Sequence, residues 1–169
     1  MKSQRPLARL FPILLLNLTG FAISIPVLPA LAFALGGSAV DVGLLYAVQA
    51  LGQFLMAPGW GALSDRFGRT KVLTGTFLAA ALMEIFTAFT GSLAILYVAR
   101  FLVGLCAGNI ATATALIADS TGPENRSKGM AIIGISFGIG FTLGPAIGAA
   151  VSYVAADGPG ILGAGLPFA

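Results

Sequence analysis

The chain is organised as long apolar stretches separated by short polar or glycine-rich connections. A membrane-spanning helix needs about 20 mostly apolar residues in succession. Five stretches meet this requirement: residues 10–35, 42–60, 72–90, 93–118 and 130–154. The apolar end of the chain, 161–169, follows a turn-rich connection and predicts the first turns of a sixth helix. We therefore predict an all-α membrane protein with five complete spanning helices.

The first apolar stretch has basic residues before it, as a secretory signal peptide also does. It is too long for the apolar region of a signal peptide and lacks an A-x-A-like cleavage site. Four more spans follow it. A spanning helix is therefore the favoured interpretation.

Composition agrees with a membrane environment. Hydrophobic residues make up 57% of the chain and charged residues 9%, and the mean hydropathy is +0.97. A soluble domain carries about 25% charged residues. His is absent and Cys106 is the single cysteine, which excludes a His-based metal site, a His-containing triad and a disulfide within the chain. The sequence also has no phosphate-binding loop, so we expect neither an enzyme nor a bound cofactor.

Basic residues fall on one side of the predicted bundle. Alternating spans place the N-terminus and the connections 61–71 and 119–128 on the same side, and these segments hold eight of the nine Lys and Arg residues. The ninth, Arg100, lies within a span. By the positive-inside rule this side is cytoplasmic. The net charge of +3 is therefore a sign of membrane topology, and nucleic-acid binding is not expected.

The connection 61–71 packs four charges and two glycines into a short segment. Glycine permits a tight turn and close backbone approach, and Asp65 precedes the third span, where a carboxylate suits the positive end of a helix dipole. The basic side chains can reach lipid phosphates or carboxylates of neighbouring helices. A generic basic connection explains the positive charge, but it explains neither the carboxylate nor the glycines. The residues of interest are Gly61, Asp65, Arg66, Gly68, Arg69 and Lys71.

This connection resembles the signature of the major facilitator superfamily between helices 2 and 3, G-x-L-[AS]-D-R-x-G-R-[KR]-x. Thr70 stands where the family usually has a basic residue, and Lys71 follows it directly. The resemblance implies the N-terminal helical bundle of a transporter. Family members have about twelve helices, and the substrate binds between two halves that rock against each other. We therefore expect 1–169 to be an incomplete half, with a lipid bilayer, a small-molecule substrate and the missing C-terminal half as its partners.

Other segments place the resemblance within the family. Residues 100–108 resemble the helix 4 motif R-x-x-x-G-x-x-x-G, and residues 25–29 resemble the end of helix 1 in drug:proton antiporters. The run 53–69 together with 116–119 most resembles bacterial tetracycline-efflux pumps. The resemblance implies proton-coupled efflux of a small amphiphilic drug from the cell across the inner (plasma) membrane. The alternatives are a major facilitator transporter of a small metabolite and a nonfunctional truncated fragment.

The fifth span carries the motif of drug:proton antiporters, with Gly140, Gly144 and Gly148 on one helix face and Pro145 beside them. Ala149 occupies a position where a second glycine is common. Small residues allow close helix packing, and proline bends a helix. The face is either a packing surface with a kink or a flexible, leak-tight seal near the outer side. In the antiporters the motif is associated with the direction of transport.

Two ionisable residues, Glu84 and Arg100, lie inside predicted spans, where a charge is costly. Glu84 lies about 18 Å from the cytoplasmic start of the third span, and Arg100 about 11 Å from the outer start of the fourth. In an apolar core about 30 Å thick these depths agree, so we expect the two side chains to face each other. Pairing favours ionised Glu84, and separation favours its protonated form. The pair is either a permanent structural contact or a device that loads and releases a proton.

The tetracycline pumps have an acidic residue in this part of helix 3, but ungapped counting from Asp65 places it at Met83. They also carry an acid at the position of Asn17. This second departure counts against an identical substrate.

Asp119 ends the fourth span on the predicted cytoplasmic side, level with the connection 61–71. In the family such a cluster links this connection to the end of helix 4 and is thought to hold the outward-facing state. A carboxylate at a helix C-terminus opposes the dipole, which favours pairing with Arg66 or Arg69 over an isolated helix-end charge.

Polar stripes on three spans are candidates for a substrate cavity. Apolar pockets with a few polar groups suit amphiphilic drugs, although each polar residue is equally suited to an interhelical hydrogen bond. The stripes are Asn17, Gly20 and Ser24 on the first span, Tyr46, Gln49 and Gln53 on the second, and Asn109 and Thr112 on the fourth.

Overall fold

A computed structural model describes residues 5–107, 114–118 and 126–156. Within these residues the chain is helical, and no strand occurs. Residues 114–118 form a short helical segment. The five longer helices are α1 (Arg5–Ala34), α2 (Ala39–Phe67), α3 (Arg69–Ala88), α4 (Leu93–Cys106) and α5 (Arg126–Ala156). The predicted all-α class is confirmed.

Four of these helices contain a segment that is long and apolar enough to cross a membrane. The segments are Leu14–Ala34, Ala39–Phe67, Arg69–Ala88 and Gly129–Ala150. α4 is also apolar but has 14 residues, because the helix ends at Cys106 with Ala107 as its C-cap, before the end of the predicted span 93–118. Residues 108–113 of that span lie outside the described part. The predicted start of a sixth helix at 161–169 also lies outside the described residues.

Serine residues cap the N-termini of two of the helices. The backbone N–H of Ser38 donates to a carboxylate oxygen of Asp41 at 2.8 Å, and the Ser38 hydroxyl accepts from the backbone N–H of Asp41. This reciprocal arrangement is a capping box, which satisfies N–H groups that have no partner inside α2. Ser92 caps α4 in a simpler way, because its hydroxyl accepts the backbone N–H of Ile95.

The predicted connection 61–71 is mostly helix. α2 continues to Phe67, α3 begins at Arg69, and Gly68 alone separates them. Gly68 has a φ of +94°, a conformation that side-chain-bearing residues rarely adopt, so the turn requires glycine at this position.

Close helix crossings form around glycines. α1 packs most extensively on α5, and α2 on α4. A side chain at Gly104 of α4 would collide with the backbone carbonyl of Gln49, and one at Gly52 of α2 would lie 2.6 Å from the carbonyl oxygen of Phe101. The two glycines therefore bring α2 and α4 into backbone contact, as small residues do between membrane helices.

Two buried clusters hold the bundle at its two ends. Leu28, Ala32, Leu45 and Leu96 form one cluster near the connections between α1 and α2 and between α3 and α4. We call it the outer cluster, because the predicted topology places this end of the bundle outside the cell. Leu14, Leu73 and Ile117 form an inner cluster near the opposite end. The outward faces are also apolar. On α3 the exposed side chains include Leu78, Leu82, Ile85 and Phe86, and such a surface suits lipid rather than water.

Candidate functional site: a cavity with a buried ion pair on its wall

A cavity of about 630 Å³ lies between the helices, and all five of them contribute to its wall. Most of the lining is aliphatic or aromatic, including Phe21, Phe77 and Phe137. Among the residues that the structure describes, the polar and charged lining side chains are Asn17, Ser24, Gln53 and Glu84. An apolar space of this size with a few polar groups suits a small amphiphilic molecule.

Glu84 of α3 and Arg100 of α4 meet at this wall, as the sequence predicts. Arg100 Nη2 donates to Glu84 Oε2 at 2.7 Å, and Arg100 Nη1 donates to Glu84 Oε1 at 3.4 Å. Antiparallel packing of α3 and α4 brings the two residues to the same depth. The two parallel contacts match the planar fork of a guanidinium to a carboxylate, which gives the pair a defined geometry.

The two partners differ in their exposure. The Arg100 side chain is 2% exposed, whereas the Glu84 side chain is 32% exposed and lines the cavity. Arg100 Nε is buried and has no hydrogen-bond partner within the described part of the chain. The carboxylate is therefore the partner that a proton or a ligand in the cavity can reach, and the guanidinium is its buried counter-charge.

The residues predicted to line a cavity differ in their positions in the structure. Asn17 and Gln53 line the cavity together with Gly20 and Ser24. Asn109 lies outside the described residues, as does Thr112.

Gln49 and Tyr46 of the α2 stripe do not line the cavity, which corrects the prediction for that helix. Gln49 is buried at the crossing of α2 and α4, because Gly104 has no side chain to hold it away. The Tyr46 hydroxyl donates to the backbone carbonyl of Ile25 on α1 at 3.0 Å. A shared helix face is therefore not sufficient to place a side chain in the cavity, because neighbouring helices cover parts of that face.

The charged segment between α2 and α3 has a different geometry from the predicted loop. Gly61 lies inside α2, so it makes no turn, and a side chain added there would meet no neighbouring helix among the described residues. Asp65 lies in the last turns of α2 rather than in a loop ahead of α3, because the helix continues to Phe67. There its carboxylate pairs with Arg69 of α3 at 3.4 Å across the Gly68 turn.

The basic side chains of this segment surround the turn. Arg66 lies over the ring of Phe67, 5.5 Å from its centre, and Lys71 is exposed. Asp119, the predicted partner of Arg66 or Arg69, lies outside the described residues, so that pairing stays a prediction.

The glycine face of α5 packs against α1. A side chain at Gly140 would lie 3.1 Å from the Leu18 backbone, and one at Gly144 would collide with Ala22. Gly148 lies against Ile23 in the same way. Pro145 lies inside the continuous helix α5. The predicted packing surface is confirmed, and the role of the motif in sealing the outer side stays a prediction.

Two side-chain hydrogen bonds between α2 and α4 were not predicted from the sequence. The Tyr97 hydroxyl donates to Asp41 Oδ1 at 2.9 Å, and Trp60 Nε1 donates to the backbone carbonyl of Leu105 at 2.6 Å. Asp41 and Tyr97 are 56 residues apart, so no local pattern links them. Their positions could have indicated the contact, because both residues lie near the starts of helices that begin at the same end of the bundle.

Comparison with known proteins agrees with this architecture. The profile of the Major Facilitator Superfamily matches residues 10–168. The chain belongs to the major facilitator superfamily. This is a family of membrane transporters.

Individual relatives show how much of a major facilitator protein this chain represents. It is 37% identical to the class C tetracycline resistance protein of Escherichia coli over 162 residues, which is 94% of this chain and 41% of that protein. It is 37% identical to the class B protein of Escherichia coli over 87% of the chain and 37% of that protein. It is also 36% identical to major facilitator superfamily domain-containing protein 10 of Bos taurus, over 86% of the chain and 38% of that protein. The chain thus spans about two fifths of the length of these relatives.

Proposed function

We propose that this chain forms the N-terminal half of a proton-coupled antiporter that exports a small amphiphilic drug, of the tetracycline or multidrug type, by alternating access. The observation that carries the proposal is the position of Glu84, a membrane-embedded carboxylate on the wall of a mostly apolar cavity. Ionisable side chains inside membrane spans mark substrate and proton pathways. The similarity to tetracycline resistance proteins supports the choice of substrate class.

In this proposal Glu84 is the proton carrier. In the paired state Arg100 donates two charge-assisted hydrogen bonds to the Glu84 carboxylate. Protonation of Glu84 removes the charge that balances a guanidinium which is 2% exposed, and an unbalanced buried cation is costly. Protonation therefore favours a different arrangement, in which Arg100 gains another partner or water. This difference between two protonation states is what coupling to a conformational change requires.

The remaining polar lining residues are assigned to the substrate. Asn17, Ser24 and Gln53 offer neutral donors and acceptors around an apolar space, and phenylalanine rings provide the contact area. The glycine face on α5 and the charged segment around Gly68 are assigned to conformational control, together with Asp119. We place the protein in the inner (plasma) membrane with its N-terminus in the cytoplasm, on the basis of its basic residues.

Transport is tested in proteoliposomes that contain the whole transporter, of which this chain is the first half, and a pH-sensitive dye inside. An amphiphilic drug added outside drives proton movement in the opposite direction if the proposal is correct. Proton movement driven by a small polar metabolite, and not by the drug, would instead identify a metabolite transporter. Residues 1–169 alone are expected to transport nothing, because alternating access needs two halves. Substrate uptake by liposomes containing only 1–169 contradicts that expectation.

A further inference from the structure

The cavity-facing part of α1 contains a backbone carbonyl that its own helix leaves unpaired. α1 carries Pro26 and Pro29 in its outer part. In an α-helix the N–H of residue 29 donates to the carbonyl of residue 25, but proline has no N–H. The carbonyl of Ile25 therefore lacks its helical donor. An unpaired carbonyl is costly within a membrane, where water is absent.

A side chain of α2 supplies the missing donor. The Tyr46 hydroxyl donates to the Ile25 carbonyl at 3.0 Å. Tyr46 is half-buried, and its ring packs against the outer cluster, which includes Leu28, Leu45 and Leu96. The hydroxyl thus joins the proline-interrupted turn of α1 to a packed contact between α2 and α4.

The joined turn forms part of the cavity wall. Ser24 and Val27, on either side of Ile25, both line the cavity. α1 packs mainly on α5, through the glycine face, and has a much smaller contact with α2. The hydrogen bond from Tyr46 is therefore one of few fixed attachments between the outer part of α1 and α2 in the described residues.

We propose that Tyr46 is a positioning residue, which replaces the hydrogen-bond donor that Pro29 removes and thereby holds the cavity-facing turn of α1 against α2. It acts through the α1 backbone and does not itself contact the cavity. The proposal concerns the shape of the wall, so it holds whatever molecule the cavity takes and whether or not Glu84 carries a proton.

Thiol labelling of the chain in membrane vesicles tests this attachment without any transport assay. Cys106→Ala removes the single native thiol, and Ala32→Cys then places a reporter where α1 is fully buried in the outer cluster. A water-soluble maleimide reacts with this thiol only when the outer part of α1 opens. Tyr46→Phe removes the hydroxyl and keeps the ring, so the labelling rate is expected to rise about threefold to tenfold, the effect of losing one interhelical hydrogen bond in a membrane.

Tyr97→Phe is the matched control. The Tyr97 ring packs against the same outer cluster, but its hydroxyl donates to Asp41 of α2 and not to α1. Its labelling rate is expected to stay within about twofold of the parent, because it removes a hydrogen bond of similar strength at a different place. An equal acceleration in Tyr97→Phe would show general loosening of the cluster and would overturn the proposal.

A third variant restores the backbone N–H that Pro29 lacks and tests the proposal directly. Pro29→Ala returns an N–H to position 29, so Ile25 regains a partner within α1. Combined with Tyr46→Phe, it is expected to bring the labelling rate back to that of the parent. Acceleration that persists in the double variant, or its absence in Tyr46→Phe alone, contradicts the proposal. Amide hydrogen exchange over residues 24–34 in chains without the reporter cysteine gives a second measurement with the same expected order of variants.

Discussion

Arg100 holds both carboxylate oxygens of Glu84 while itself being almost wholly buried, so the burial of the pair is unequal. Glu84, which is the more exposed partner, faces the cavity, and Arg100 lies behind it. Loss of either partner therefore has a different consequence, because an unpaired carboxylate at the cavity can be hydrated and an unpaired guanidinium in the interior cannot.

Removal of Glu84 is expected to destabilise the bundle more than removal of Arg100. Glu84→Ala leaves an unpaired buried cation, which costs about 3–5 kcal/mol, whereas Arg100→Met leaves a partly hydrated carboxylate and fills the space with an apolar chain. The double variant Glu84→Ala/Arg100→Met is expected to recover most of the loss. Thermal unfolding in detergent measures this order. Equal melting temperatures for the two single variants would contradict the unequal burial.

The contact between α1 and α5 gives a prediction about glycine. Gly144→Ala places a methyl group against Ala22, so we expect a loss of about 1–3 kcal/mol from overpacking. Gly138→Ala is the control on the same helix, since a side chain there meets no atom within 4 Å. It is expected to be neutral or to stabilise the helix, because alanine favours helix over glycine. Comparable unfolding temperatures for the two variants would refute the close approach.

The hydrogen bond between Tyr97 of α4 and Asp41 of α2 is expected to contribute a measurable coupling free energy to the stability of the bundle. Asp41→Ala removes the acceptor and Tyr97→Phe removes the donor of a hydrogen bond of 2.9 Å. A double-mutant cycle from unfolding free energies is expected to give a coupling of about 0.6 kcal/mol, with an upper limit of about 1.7 kcal/mol, as for other interhelical hydrogen bonds in membranes. Strict additivity of the two losses would mean that the bond contributes nothing to stability.

The membrane orientation is tested with single cysteines in the Cys106→Ala background. Gly91 and Thr70 are both exposed and lie at opposite ends of α3. In intact cells, an impermeant thiol reagent is expected to label Gly91→Cys and to leave Thr70→Cys unlabelled until the membrane is permeabilised. The reverse pattern would place the basic residues outside and contradict the positive-inside assignment.

The sequence was sufficient to predict the helices and the ion pair, because both depend on regular spacing. Apolar stretches of about 20 residues define spans, and a rise of 1.5 Å per residue places Glu84 and Arg100 at one depth. The glycine spacing on α5 likewise predicts a packing face, which the contact between Gly144 and Ala22 confirms.

Contacts between distant helices were not predictable in the same way. The α2 stripe of Tyr46, Gln49 and Gln53 has uniform spacing, yet only Gln53 lines the cavity. Tyr46 turns to α1 because Pro29 leaves a carbonyl without a donor, and Gln49 is covered because Gly104 lets α4 approach. The sequence pattern also did not predict that α2 continues to Phe67 and ends at Gly68. Charged residues near a helix end lower the hydropathy and therefore resemble a loop.

We propose that Glu84 carries the coupled proton, and drug-driven proton flux in inverted vesicles measures this role. The measurement compares the whole transporter with its Glu84→Gln variant, which keeps the side-chain shape but cannot release a proton. Asp41→Asn serves as control, because Asp41 is a carboxylate outside the cavity lining. Glu84→Gln is expected to bind drug but to lose proton-coupled exchange, whereas Asp41→Asn is expected to retain it. Full proton-coupled exchange by Glu84→Gln would contradict the proposed role of Glu84 and leave its pair with Arg100 a purely structural role.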